Sequence, residues 1–305
     1  MLSYTLRRIG GFLPVLFVIV SLSFFMMRLA PGGPFDQERA LPEQVRANVE
    51  ARYHLHEPLW RQYLRYLGDV ARGDLGPSFR YPDRSVNELL ALGFPVSLTL
   101  GACALAVAVA IGGTAGILAG IRRNTVLDHL TMSVALGGIS VPNFVLGPIL
   151  MLIFALGLGW LPVAGWGTWK HLVLPSLTLG TFYAAYVARL TRAGMLEIIH
   201  QDFIRTARAK GLAEAVVVLR HALPSAAIPV VTYLGPAAAA ILTGSVVVET
   251  IFSIPGIGRY FVGSALNRDY TMVLGTVVSY SVLLLLLNLL VDLLHAYLDP
   301  RVTLP

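Results

Sequence analysis

Charge is scarce in this chain. Only 13% of its 305 residues are Asp, Glu, Lys or Arg, 56% are hydrophobic, and the mean hydropathy is +0.70. Soluble domains carry about a quarter charged residues, so the composition excludes one and implies a polytopic membrane protein. Lysine is nearly missing: only Lys170 and Lys210 occur, followed by His171 and Gly211. Neither stands in a Gly-x-x-x-x-Gly-Lys-Ser/Thr run, so the chain has no P-loop to cradle ATP phosphates. The single cysteine, Cys103, lies in an apolar run, which excludes a disulfide framework and a cysteine metal site. The histidines are scattered, and His54-x-His56 offers two ligands without a matching third, so no metal site is expected. No nucleophile, base and orienting group stand together, and no catalytic residue is assigned. Internal repeats and low-complexity tracts are also absent.

Basic residues exceed acidic ones, 23 to 17. Short cytoplasmic loops of membrane proteins collect such an excess, so nucleic acid is not needed to explain it. The hydrophobic runs give an all-α reading with six spans: 9–29, 95–121, 128–156, 171–194, 226–251 and 271–298. Arg7 and Arg8 before the first span, the Arg122-Arg123-Asn124 loop, and Arg189 with Arg192 at the end of the fourth place those ends, and both termini, in the cytoplasm. The first apolar core is too long for a signal peptide, and Arg28 spoils a cleavage site. The polar insertion Pro31–Gly93 holds eight arginines, yet loops this long cross the membrane largely regardless of charge, and it is expected outside. Within it, Pro42 to Val70 reads as helical, with Tyr53, Leu55, Trp60, Tyr63, Leu64 and Leu67 available for an apolar face. A structural cap and a platform for a soluble binding protein both fit its size. Two parts follow: 1–94, the first span with this extracytoplasmic segment, and 95–298, a five-helix core with a cytoplasmic loop at 195–225.

The stretch Asp202–Pro224, DFIRTARAKGLAEAVVVLRHALP, is the most charged short piece of the second half and is flanked by long apolar runs. Leu212, Val216, Leu219 and Leu223 fall at helical spacing and predict an amphipathic helix with those residues on its apolar face. Gly211 punctuates the stretch and Pro224 ends it. A basic helix–Gly–helix element between two spans has the form of a docking surface, because lipid cannot hold its charges.

Its spacing resembles the cytoplasmic loop of ATP-binding-cassette import permeases: EAA, three residues, Gly, nine residues, Ile-x-Leu-Pro. Here Gly211 is followed by nine residues and then by His221, Ala222, Leu223 and Pro224. The EAA positions hold Arg205, Thr206 and Ala207, so the leading Glu and the Ile are missing. RTARAKGL and LRHAL are similar to the peptide and nickel branch, where that Glu is usually absent. FFMMRLAPGGPF, ETIFSIPGIG over Glu249–Gly258, ALNRDY over Ala265–Tyr270, and the long insertion extend the resemblance over the chain. It is nearest to B-type subunits of oligopeptide permeases.

The resemblance implies a type I importer permease fold in a bacterial inner membrane, with half of a peptide pathway supplied by this chain. The implied partners are a homologous second permease, two ATPase subunits that bind ATP and Mg, an extracytoplasmic peptide-binding protein, the peptide and membrane lipid. This chain itself needs no cofactor. The coupling residues it implies are Arg205, Thr206, Ala207, Arg208, Ala209, Lys210, Gly211, Leu212, Leu223 and Pro224. Dipeptide, nickel and glutathione import stay open as alternatives.

Polar residues at membrane depth are costly and mark candidate pathway positions. Asn143 follows Pro142 in the third span, and Thr243, Ser245 and Glu249 step along the fifth. For Glu249, a solvated position at the outer mouth and a wall group meeting a substrate amine are both open. An ATP-independent secondary transporter is the competing class. It calls for ionisable residues near mid-span and repeated halves, and it leaves the basic docking loop unexplained. The topology has a direct measurement. In a Cys103→Ser background, Gln44→Cys is expected to react with an impermeant thiol reagent in intact cells, and Glu214→Cys only after permeabilisation.

Overall fold

The computed structural model describes residues 2–29, 56–81 and 83–298. Regular structure there is helical, with one isolated bridge between Pro77 and Ser85. The helices are α1 (Leu2–Leu29), α2 (Leu59–Ala71), α3 (Val86–Ile121), α4 (Val126–Ser140), α5 (Asn143–Leu150) and α6 (Lys170–Ile198). Then come α7 (Asp202–Ala209), α8 (Glu214–Ala226), α9 (Ile228–Gly244), α10 (Val246–Ile251), α11 (Ile257–Leu266) and α12 (Tyr270–Leu298). Four helical stretches are long and apolar enough to cross a membrane: Arg7–Leu29, Val86–Ile121, Lys170–Ile198 and Tyr270–Leu290. Two bent pairs bring the number to six if each counts as one span. Val126–Ser140 meets Asn143–Gly157 at 108°, and Glu214–Ala226 meets Ile228–Ile241 at 56°.

The first bend follows from Pro142. A residue before proline is pushed out of the α region, and Val141 is extended at φ −91°, ψ 115°. In the second pair the chain stays helical through Pro224, which therefore does not end the element as expected; the break falls at Ala227 instead. A proline ring crowds the carbonyl four residues back. The turn over Val217–Ala222 is π-helical, and its wider ring relieves that crowding.

One compact unit comprises 97–254 with 290–298. Its centre is α6, more than half buried, against which α3 and α4 pack. Gly112 and Gly116 let the α3 backbone touch α6. A Cβ on Gly112 would collide with the Ala184 carbonyl, and one on Gly116 would lie 2.5 Å from the Ala188 oxygen and from Thr191 Cβ. Small residues allow this approach where lipid gives helices no hydrophobic reason to associate.

The other unit comprises the described residues within 1–96 and 255–289. Val86, Leu89, Leu90, Ile257 and Met272 form its buried apolar cluster. Asp269 is fully buried and acts as its polar centre. It accepts from Ser78 Oγ, from the Phe79, Arg80 and Met272 main-chain N–H groups, and from Thr271 Oγ1. The expected helix from Pro42 to Val70 is observed from Leu59, and 42–55 lie outside the described residues. Trp60 and Leu64 are exposed, so they do not form its buried face; Tyr63 packs on Phe24 and Phe25 instead.

Gly116→Val should lower the unfolding midpoint of the purified chain by the equivalent of about 1–3 kcal/mol, the cost of overpacking. Gly113→Ala, where a Cβ meets nothing within 4 Å, should change it by less than about 0.5 kcal/mol. Thermal unfolding in detergent measures both.

Candidate docking site and buried polar clusters

The candidate docking element, Asp202–Pro224, is anchored on the end of α6. Ile204 and Ala207 of α7 and Val217, Val218 and Ala222 of α8 are buried with Met195 and Ile199 at the end of α6. Three residues apart, Ile204 and Ala207 share one face of α7. This leaves Arg205, Thr206, Arg208, Ala209 and Lys210 exposed. The apolar face of α8 is not the one that helical spacing predicts. Leu212, Val216 and Leu219 are exposed, with Leu219 at 60%, and Val217, Val218 and Ala222 are buried in their place.

The turn between α7 and α8 is closed by Arg208. Its Nη2 and Nε donate to the two carboxylate oxygens of Glu214 at 2.6 and 3.1 Å. These bonds raise the guanidinium pKa further above its ordinary value. Arg205 pairs loosely with Asp202 at 3.4 Å, both solvated. Gly211 has φ +76°, which glycine adopts freely, and no atom lies within 4 Å of the place a Cβ would take. The backbone conformation, not crowding within the chain, sets the glycine there. Beyond it the surface combines Lys210 and Arg220 with exposed Phe203, Leu212, Val216 and Leu219. Leu223 is half-buried and Pro224 exposed.

The four candidate pathway positions separate. Ser245 and Glu249 are both fully buried, and Ser245 Oγ and Ser97 Oγ donate to Glu249 Oε1 at 2.6 and 2.7 Å. Glu249 is thus an interior group rather than a solvated one. Ser97, from α3, has no sequence signal that links it to Glu249. Asn143 is half-buried in the first turn after Pro142. Thr243 lies in α9, and its side chain is outside the described residues, as is His54.

A second buried pair was invisible in the sequence. Asp128, 1% exposed, receives Arg192 Nε at 2.6 Å and Nη2 at 2.8 Å. The Asn124 N–H completes its shell. The pair ties the start of α4 to α6 just before the docking element. Thr125 accepting from the Asp128 N–H is a readable helix start, but the partner 64 residues away is not readable.

The fold is the one found in ATP-binding-cassette importers. A chain of an amino acid ABC transporter superposes with a TM-score of 0.54 and one of the MetNI methionine ABC transporter with 0.56. Each is 19% identical and covers 69% of this chain; 94% and 96% of those chains are matched. The chain belongs to the family of binding-protein-dependent transport system inner membrane components, whose profile matches residues 112–304. The oligopeptide transport system permease proteins OppB of Haemophilus influenzae and Escherichia coli K12 are each 50% identical over 304 residues, 99% of both chains. The dipeptide transport system permease protein DppB of Bacillus subtilis is 46% identical, over 100% of this chain and 99% of its own.

Truncating one partner of a buried ion pair costs about 3–5 kcal/mol. Arg192 is 27% exposed, which discounts that to about 2 kcal/mol for Asp128→Asn. The double variant Asp128→Asn/Arg192→Gln should recover part of the loss in thermal unfolding, as a double-mutant cycle requires of a direct pair.

Proposed function

We propose that this chain is the membrane-spanning permease subunit of an ATP-driven, binding-protein-dependent importer of oligopeptides, and that it supplies half of the pathway. The observation that carries the reading is the docking element: a basic and apolar surface on a buried core, continuous with α6 on one side and α9 on the other. Such a surface suits an ATPase subunit that closes on ATP and moves both spans. The partners that fit are a second homologous permease, two ATPase subunits that hold ATP and Mg, and an extracytoplasmic peptide-binding protein. In this reading both termini and Asp202–Pro224 face the cytoplasm, and the segment after α1 faces outward.

In the docking loop Arg208 has an internal role that the sequence reading did not foresee. Its fork on Glu214 shapes the turn, while Arg205 and Lys210 stay available to a partner's acidic or carbonyl groups. Ser245 and Glu249 support the wall of the pathway from inside, and Asn143 sits at the Pro142 bend. The 46% identity to a dipeptide permease favours dipeptides as the second substrate class.

Gly211→Asp should reduce transport by about tenfold or more, equivalent to about 1.4 kcal/mol, with normal membrane insertion and lost co-purification of the ATPases. Arg208→Lys keeps the charge but loses the fork, and should reduce it less. Uptake into proteoliposomes and pull-down of the ATPases measure both. Wild-type transport and co-purification by Gly211→Asp protein would refute the coupling role.

A further inference from the structure

Three tyrosines and one arginine on α6 and α9 are not used by anything described above. Tyr183, Tyr186 and Arg189 lie on α6, and Tyr233 on α9. The Tyr186 and Tyr233 rings stack, with centroids 5.6 Å apart and planes 26° from parallel. Phe182 packs against Tyr183 at 5.2 Å and Tyr186 at 5.4 Å. The Arg189 guanidinium lies over the Tyr186 ring at 5.3 Å. The three tyrosine rings are half-buried and Arg189 is exposed.

The setting of this group makes it informative. The sequence places Arg189 at the end of its span, but α6 continues to Ile198. A guanidinium on an apolar span is costly against lipid and faces protein or water. One turn later Arg192 has its carboxylate in Asp128. Among the described residues Arg189 has no acidic partner, and the hydroxyls of Tyr183, Tyr186 and Tyr233 have no hydrogen-bond partner. Their oxygens are not sealed in the interior either. The chain thus presents one cation and three phenol hydroxyls on an aromatic surface, and the anion is missing.

We propose that Arg189, with Tyr183, Tyr186 and Tyr233, forms a carboxylate-binding subsite on the pathway wall that takes the C-terminal carboxylate of a peptide in transit. The proposal rests on the peptide-permease reading. A guanidinium fork matches a carboxylate bidentately, and stacking on Tyr186 holds the fork in place. The ring faces accept the apolar part of the terminal residue, whatever its sequence. Charge complementarity favours the peptide, since every peptide brings a carboxylate without requiring a fixed acid on a neighbouring helix.

The test uses the full complex in proteoliposomes and two peptides of one sequence without acidic side chains, one with a free C-terminus and one amidated. Arg189→Gln should lower uptake of the free-acid peptide by about tenfold, leave the amidated peptide unchanged, and leave subunit co-purification intact. Arg189→Lys should restore part of the difference. In a Cys103→Ser background, protection of Tyr183→Cys from a thiol reagent should be stronger with the free-acid peptide, a contrast that needs no delivery by the binding protein. Equal losses for both peptides, or equal protection by both, would overturn the subsite. Loss of the second permease from the Arg189→Gln complex would overturn it in favour of a subunit contact. Uptake of neither peptide by the wild-type complex would refute the peptide-permease reading itself.

Discussion

Backbone-to-backbone contact with α6 is the constraint on which the larger unit depends. Between helices in lipid there is little hydrophobic drive, so association relies on how closely the helices pack. Gly112 and Gly116 bring α3 onto α6, Gly138 brings α4 against Thr181, and Gly194 admits the Ala226 carbonyl of α8. The docking element is therefore seated on the same helix that braces the spans. A force applied at α7 and α8 reaches α3 and α4 through close-packed backbone rather than through flexible side chains.

Buried acids are held differently at three places. Asp128 is neutralised by a bidentate arginine, Glu249 is held by two serine hydroxyls, and Asp269 is held largely by main-chain N–H groups. Each device suits its surroundings. An ion pair joins two spans, hydroxyls satisfy an acid among apolar helices, and peptide N–H groups fasten an irregular segment to a helix start. Arg189 stands outside this pattern, with its charge resting only on an aromatic face.

Much of the fold was legible because hydropathy is a property of each residue alone. Four of the six expected spans fall on helices long and apolar enough to cross a membrane, the other two overlap bent pairs, and Gly211 was readable as a backbone special. What failed depended on partners or on local winding. Pro142 marked a break, but nothing in the sequence set its 108° angle. The buried face of α8 was misassigned because periodicity tells which residues share a face, not which face meets Met195 and Ile199. Glu249 was readable as a polar residue at depth, but its burial depends on Ser97, 152 residues away. The helix α6 runs four residues past the Gly194 end expected of its span, where Met195 and Ile199 pack with Ile204 and Val218.

The mooring of 78–81 at Asp269 distributes freedom unevenly along the chain. Two of its bonds come from the peptide N–H groups of Phe79 and Arg80, which any residue except proline would supply. These two bonds do not depend on which side chains stand at 79 and 80, while both need the carboxylate that receives them. A surface fastened through its backbone in this way can be rewritten at little structural cost, provided that one acid is kept.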